Sequence, residues 1–160
     1  YNTGEVNAVT TAQNAMKYLD EKGIKYVEKT VTSAGEVQTA AESLAGSVDA
    51  IFVPNDSIIQ SAMPIVSQVA RDNKIPVYGS SAVMVNSGAF ATKAISDKKI
   101  GAITADKFID YLEGKAIKDI KAEVVDADDI VVNSDAAAAI GVTIPDDVKN
   151  EATIVKDSNG

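Results

Sequence analysis

Between Ala8 and Leu19 the apolar positions are Ala8, Val9, Ala12, Ala15, Met16 and Leu19, steps of three and four that trace one helix face. Gly23 stands where such a helix would be capped. Ile24 to Val31 alternates and is rich in β-branched residues, which predicts a strand. Ser33 and Glu36 form an S-x-x-E capping box ahead of Val37, Ala40, Ala41 and Leu44, with Gly46 as the stop. Val48 to Pro54 is a short apolar run of the kind buried on both faces of a parallel sheet. From about Ser57 to Asn73 the apolar residues return to helical spacing, with Pro64 expected to kink the helix or delay its start.

Ile75 to Ser81 predicts the next strand, Ala82 to Asn86 a short helix, AFATKAI a further strand, and Ser96 to Leu112 a long helix ended by Gly114. A strand near Asp129 to Val132, a short helix from Ser134 to Ile140 and a last helix with Pro145 in its first turn complete the series. Strand and helix alternate roughly every 25 residues, the rhythm of βαβ units, so the fold class is α/β with a doubly wound parallel sheet. The strict alternation falters only at GSSAVMVNSG, Gly79 to Gly88, which is the best candidate crossover between two lobes.

Composition narrows function more than fold. The 160 residues suffice for one domain with a core, and no apolar run approaches the length of a membrane span. A net charge of −8 with no basic cluster disfavours a nucleic-acid partner. Cysteine and histidine are both absent, which excludes thiol nucleophiles, disulfides, Cys/His zinc sites and imidazole acid–base schemes. No Walker-type, dinucleotide-binding or nucleophile-elbow motif is present. The pairs Asp128-Asp129 and Asp146-Asp147 read as solvated or helix-start charges rather than a metal site. The expectation is a protein that is not an enzyme and needs neither cofactor nor metal.

In open parallel sheets, ligands bind beyond the carboxyl ends of the strands. Three short polar segments fall there: YNTGEVN at Tyr1 to Asn7, PNDS at Pro54 to Ser57, and GSS at Gly79 to Ser81. Amides around Thr3 and Gly4 can hold a carboxylate, and Asp56 can meet an ammonium group, a combination suited to a zwitterion such as an amino acid. Each residue also has a plainer account. Asp56 or Ser57 can cap a helix, Thr3, Glu5 and Asn7 can form a turn with first-turn charge, and Ser80 and Ser81 can be a turn alone. Tyr1, Phe52, Tyr78 and Phe90 can flank a flat ligand or sit in the core.

Four stretches in register, YNTGEVN, VDAIFVPNDSIIQSAMPIVSQVARDNKIPVYG, MVNSGAFAT and IGVTIPDDV, resemble the substrate-binding proteins of bacterial ABC importers, in the group with tryptophan- and tyrosine-type members. The resemblance runs from Tyr1 to about Val148. It implies a two-lobed, periplasmic-binding-protein-like fold that traps a small ligand, an amino acid and by this group an aromatic one, and delivers it to a membrane permease. By position, Asn2, Thr3, Gly4, Glu5 and Asn7 of the first turn, Asp56 and Ser57, and Ser80 and Ser81 would line the cleft, and Gly88 to Ala94 would lead back to the other lobe. Lys93 departs from the neutral or aromatic residue expected there. The resemblance further implies an extracytoplasmic location, as a cell-surface lipoprotein or in the periplasm.

On this reading residues 1–81 form the second, ligand-binding lobe and residues 82–160 the crossover and C-terminal segments returning towards the first. The first lobe and the first strand of this sheet are expected to precede Tyr1. A sheet lacking that strand has a gap between its second and third strands, to be filled by a swapped strand or an associated fragment. The alternative function is ligand sensing in a transcriptional regulator or other signalling protein, since the same architecture serves both.

Overall fold

The structure, a computed structural model, describes residues 1–157. The first helix, α1 (Val6–Glu21), buries Ala8 and Ala12 from the predicted stripe and ends ahead of Gly23, which takes the left-handed conformation. Helix α2 (Ala34–Leu44) has Ser33 at its N-cap, but the box is only half made. Glu36 reaches back to accept from the Thr32 amide at 2.7 Å, whereas the Ser33 side chain makes no capping bond. The expected helix from Ser57 to Asn73 is two helices, α3 (Ser57–Ser61) and α4 (Met63–Asp72). They are divided at Ala62, and Pro64 sits in the first turn of α4, where its missing N–H costs nothing.

Five strands form one sheet in the order β1 (Ile51–Val53), β2 (Val77–Gly79), β3 (Ala91–Ala94), β4 (Asp129–Asn133), β5 (Thr153–Val155). The first three are parallel, with Ile51 opposite Val77 and Tyr78 opposite Ala91. β4 runs antiparallel to β3, and β5 parallel to β4, so the sheet is mixed rather than wholly parallel. β5 has no counterpart in the sequence-based expectation: it has three residues, two of them exposed, and carries no alternation. The segment Ile24–Val31 is the reverse case. It joins no ladder, and its one bridge is the parallel pairing of Val31 with Asn2.

The Gly79–Gly88 stretch supplies helix α5 (Ala82–Asn86), which links neighbouring strands of this one sheet. Its Met84 and Val85 are wholly buried among Val53, Met63, Val66 and Val77. Each such side chain contributes about 1.5–3 kcal/mol of transfer free energy. A second cluster, around Val132, Ala137 and Ile144, joins β4 to α7 (Ser134–Ile140) and to the loop before α8 (Asp146–Glu151). Pro145 is the N-cap of α8.

Helix α6 (Asp97–Leu112), although sixteen residues long, buries none of them. Phe108, Ile109, Tyr111 and Leu112 are exposed on it, with the Phe108 and Tyr111 rings stacked 6.4 Å apart. Its ion pairs, Lys99 with Asp128 and Lys107 with Glu123, reach only the segment that follows it.

Two glycines with opposite surroundings give a test of this packing. A Cβ at Gly79 would stand 2.7 Å from Met84 Cβ, whereas at Gly101, inside α6, it would meet nothing. Gly79→Ala is expected to lower stability by about 1–3 kcal/mol through overpacking. Gly101→Ala should raise it by up to about 1 kcal/mol through helix propensity. Urea denaturation midpoints check both signs.

Candidate functional site

The three polar turns singled out in the sequence come together at one edge of the sheet. Asn2 pairs with Val31, and the chain turns through Thr3 and Gly4 into α1; β1 leads through Pro54–Asp56 into α3; β2 leads through Ser80 and Ser81 into α5. Gly4 donates to Asn2 Oδ1 at 2.8 Å, closing the first turn on itself.

Asp56 is wholly buried. Its Oδ2 accepts from the Asn2 amide at 2.5 Å and its Oδ1 from the Ile59 amide at 3.0 Å, so it caps α3 and anchors the first turn together. Both acceptor oxygens are thus engaged by backbone, which is the capping account of this residue. Around this pin the two turns are laced further. Glu5 accepts from the Ser57 amide at 3.0 Å and from the Ser57 hydroxyl, and Asn7 Nδ2 donates to Asn55 O at 2.7 Å.

The Ser57 hydroxyl, then the Ser57 amide, hold the Glu5 carboxyl below its ordinary value of 4.5, so it is ionised at neutral pH. Glu5 is partly exposed and Thr3, Gly4, Asn7 and Ser57 are exposed, whereas Asn2 is buried. The third turn is joined less tightly. Ser81 accepts from Met84 N at 3.4 Å as the cap of α5 and lies 3.3 Å from Gln60 Oε1, while Ser80 Oγ lies 3.8 Å from Met84 Sδ. Both serines are partly exposed.

Two bridging residues escaped the sequence reading, Asn55 and Gln60. Asn55 contributes a main-chain carbonyl, which residue type does not reveal. Gln60 lies four residues after Asp56, on the same helix face, and that spacing was the available signal. Among the described residues no group of three acidic side chains is placed to hold a metal.

A mixed α/β sheet whose polar loops gather beyond its parallel strands is the architecture of a periplasmic-binding-protein-like fold. The family model for ABC transporter substrate binding proteins matches residues 1–156, and the chain belongs to that family. Its members bind substrates and are not enzymes. A tyrosine-binding protein of Clostridioides difficile is 39% identical over 140 residues, which are 88% of this chain and 41% of that protein.

Among solved structures, a substrate-binding protein with adhesive properties from Clostridium difficile, in its ligand-free open form, superposes with a TM-score of 0.81 at 34% identity. An ABC domain from Streptococcus pneumonia in complex with L-Trp gives 0.82 at 30%. These alignments cover 99% and 97% of this chain but 53% and 52% of those chains. The chain thus spans about half the length of these relatives.

Two substitutions separate the structural parts of the site. Asp56→Ala leaves two backbone N–H groups without acceptors and is expected to cost about 2–5 kcal/mol; Asp56→Asn, which keeps one acceptor oxygen, should cost less. Glu5 has a folded-state pKa below its ordinary value, so its contribution is present above pH 4.5 and is lost as pH falls through the depressed value. The difference in urea midpoint between wild type and Glu5→Gln should therefore shrink from about pH 6 to about pH 3.

Proposed function

We propose that this chain is the ligand-binding part of the solute-binding component of a bacterial ABC importer, and that its solute is an amino acid, aromatic in keeping with the relative named a tyrosine-binding protein and the one solved with L-Trp. The observation that carries this reading is the convergence of the Asn2–Asn7, Pro54–Ser57 and Ser80–Ser81 turns, one of them holding an ionised Glu5 at the surface. The Thr3 and Gly4 amides, expected to hold a carboxylate, are instead given to Val31 O and Asn2 Oδ1. The amides of the exposed Val6 and Asn7 in the first turn of α1 therefore suit the ligand carboxylate, and Glu5 with Ser57 suits its ammonium. Ser80 and Ser81 close the third side, and Asp56 acts by positioning the other two turns.

The lobe division is refined accordingly. β3 and β4 stay with the ligand-binding sheet, and the excursion between them, Ile95–Asp128 including α6, serves the first lobe. The bare apolar surface of α6 supports this, since exposed patches of that kind mark a covering partner. Closure of the two lobes would bury the solute for hand-over to a permease, outside the cytoplasm, with the protein either lipid-anchored at the cell surface or free in a periplasm. Among the described residues no helix is long and apolar enough to cross a membrane. Ligand sensing in a regulator would use the same cleft, and the family match favours the importer.

Titration calorimetry with a polypeptide carrying both lobes is expected to give saturable heat with L-tyrosine or L-tryptophan. Absence of binding by every amino acid would sink the ligand class. Glu5→Gln should weaken binding at least about tenfold, as loss of a charge-assisted bond does. The 160-residue chain alone should bind more weakly still, because part of the cleft wall is supplied by the other lobe.

A further inference from the structure

Gln60 joins the second and third polar turns, and only its oxygen is engaged there. Resting on the amino-acid reading above, we infer that Gln60 is a specificity-determining residue of the cleft. Its side-chain NH2 donates to an acceptor on the ligand's aromatic side chain, which selects a phenol over a bare ring or an indole. The residue is half-buried, and its main chain is fixed by the turn that Asp56 caps, with the Gln60 amide donating to Asp56 O at 2.8 Å.

An account of the donors on this side of the cleft leads to that residue. The Ser81 hydroxyl oxygen takes the Met84 amide at 3.4 Å as the cap of α5, and its proton goes to Gln60 Oε1 at 3.3 Å. Ser80 gives its proton to Met84 Sδ at 3.8 Å. Neither serine of the third turn therefore keeps a proton for a ligand. An amide oxygen only accepts, so Gln60 meets Ser81 with Oε1 and turns Nε2 away from it, with two N–H groups that find no acceptor among the described residues. The opposite setting of the amide would crowd its NH2 against the oxygen that caps α5 and take the acceptor from the Ser81 proton.

Position separates this donor from the groups that meet the ligand's α-carbon. Gln60 follows Ser57 by three residues on α3, which puts both on one helix face with about 5–6 Å between their Cβ atoms. Ser57 with Glu5 takes the ammonium and the first amides of α1 take the carboxylate, two groups carried by one carbon. A donor one helical turn further on meets the side chain instead. Phenylalanine has no acceptor on its ring, the indole N–H of tryptophan is a donor only, and the phenol oxygen of tyrosine accepts. A Gln60 N–H that loses water on closure without gaining a partner penalises the two ligands that lack that oxygen.

The test titrates L-tyrosine, L-phenylalanine and L-tryptophan into the polypeptide carrying both lobes, as wild type and as Gln60→Met, which keeps the length of the side chain and removes its polar atoms. Wild type should bind tyrosine at least about tenfold more tightly than phenylalanine. Gln60→Met should lose that margin through tyrosine alone, with phenylalanine affinity changed by less than about threefold. Equal binding of tyrosine and phenylalanine by wild type overturns the role of Gln60, and so does an equal loss for all three ligands in the variant. Gln60→Glu is the second variant: it keeps the shape and the bond to Ser81 and turns an acceptor to the ligand. It should raise tryptophan relative to phenylalanine by at least about threefold, and an unchanged ratio overturns the assignment. Failure of wild type to bind any of the three is a different result, which sinks the aromatic amino-acid reading and this inference with it.

Discussion

The buried side chain of Asp56 holds the loop-bearing edge of the sheet together. A buried polar side chain must find hydrogen-bond partners, and here they are two backbone amides from segments far apart in sequence, Asn2 and Ile59. Satisfying both oxygens therefore fixes where the first turn lies against α3. Glu5 and Asn7 follow from that placement, since both reach the Asn55–Ser57 loop only because Asn2 is already pinned beside it. Thr3 and Gly4 are left at the surface by the same constraint.

A comparable device secures the far side of the sheet. Arg71 on α4 grips Asp157 with both terminal nitrogens, at 2.6 and 2.8 Å, and also donates to Gly88 O. The buried Asn133 donates to Asp157 and caps α7 through the Asp135 and Ala136 amides. The Arg71 hydrogen bond is the main reason the Asp157 carboxyl is held below its usual range. This network ties the end of β5 to α4, so the antiparallel turn of the sheet at β4 is locked to the parallel part. Among the described residues α6, between β3 and β4, buries none of its side chains, and its ion pairs reach only the segment that follows it.

Local pattern revealed most of the elements for a simple reason: helix stripes, caps and buried apolar runs are decided by neighbours within one or two turns. The boundaries of α1, α5, α6 and α7 follow from such neighbours, as does the placement of Pro64. Where the partner is distant, the pattern misled or was silent. Residues 24–31 have strand composition, but a ladder needs a partner, and among the described residues the segment forms a single bridge, Val31 with Asn2. β5 has little burial and no alternation, and exists because Val131–Asn133 offers it an edge. The sequence placed Asp56 at a loop that could serve as cap or as ligand contact, and the structure shows the cap.

The sequence by itself determined an α/β rhythm, a chain without thiol or imidazole chemistry, and three polar turns at one end of the strands, because residue type and spacing set those locally. Tertiary structure decided that Asp56 faces inward while Glu5 faces out, that β4 reverses direction, and that α6 stays uncovered. Each of these depends on pairing a donor, an edge or an apolar face with residues dozens of positions away, which no window along the chain contains.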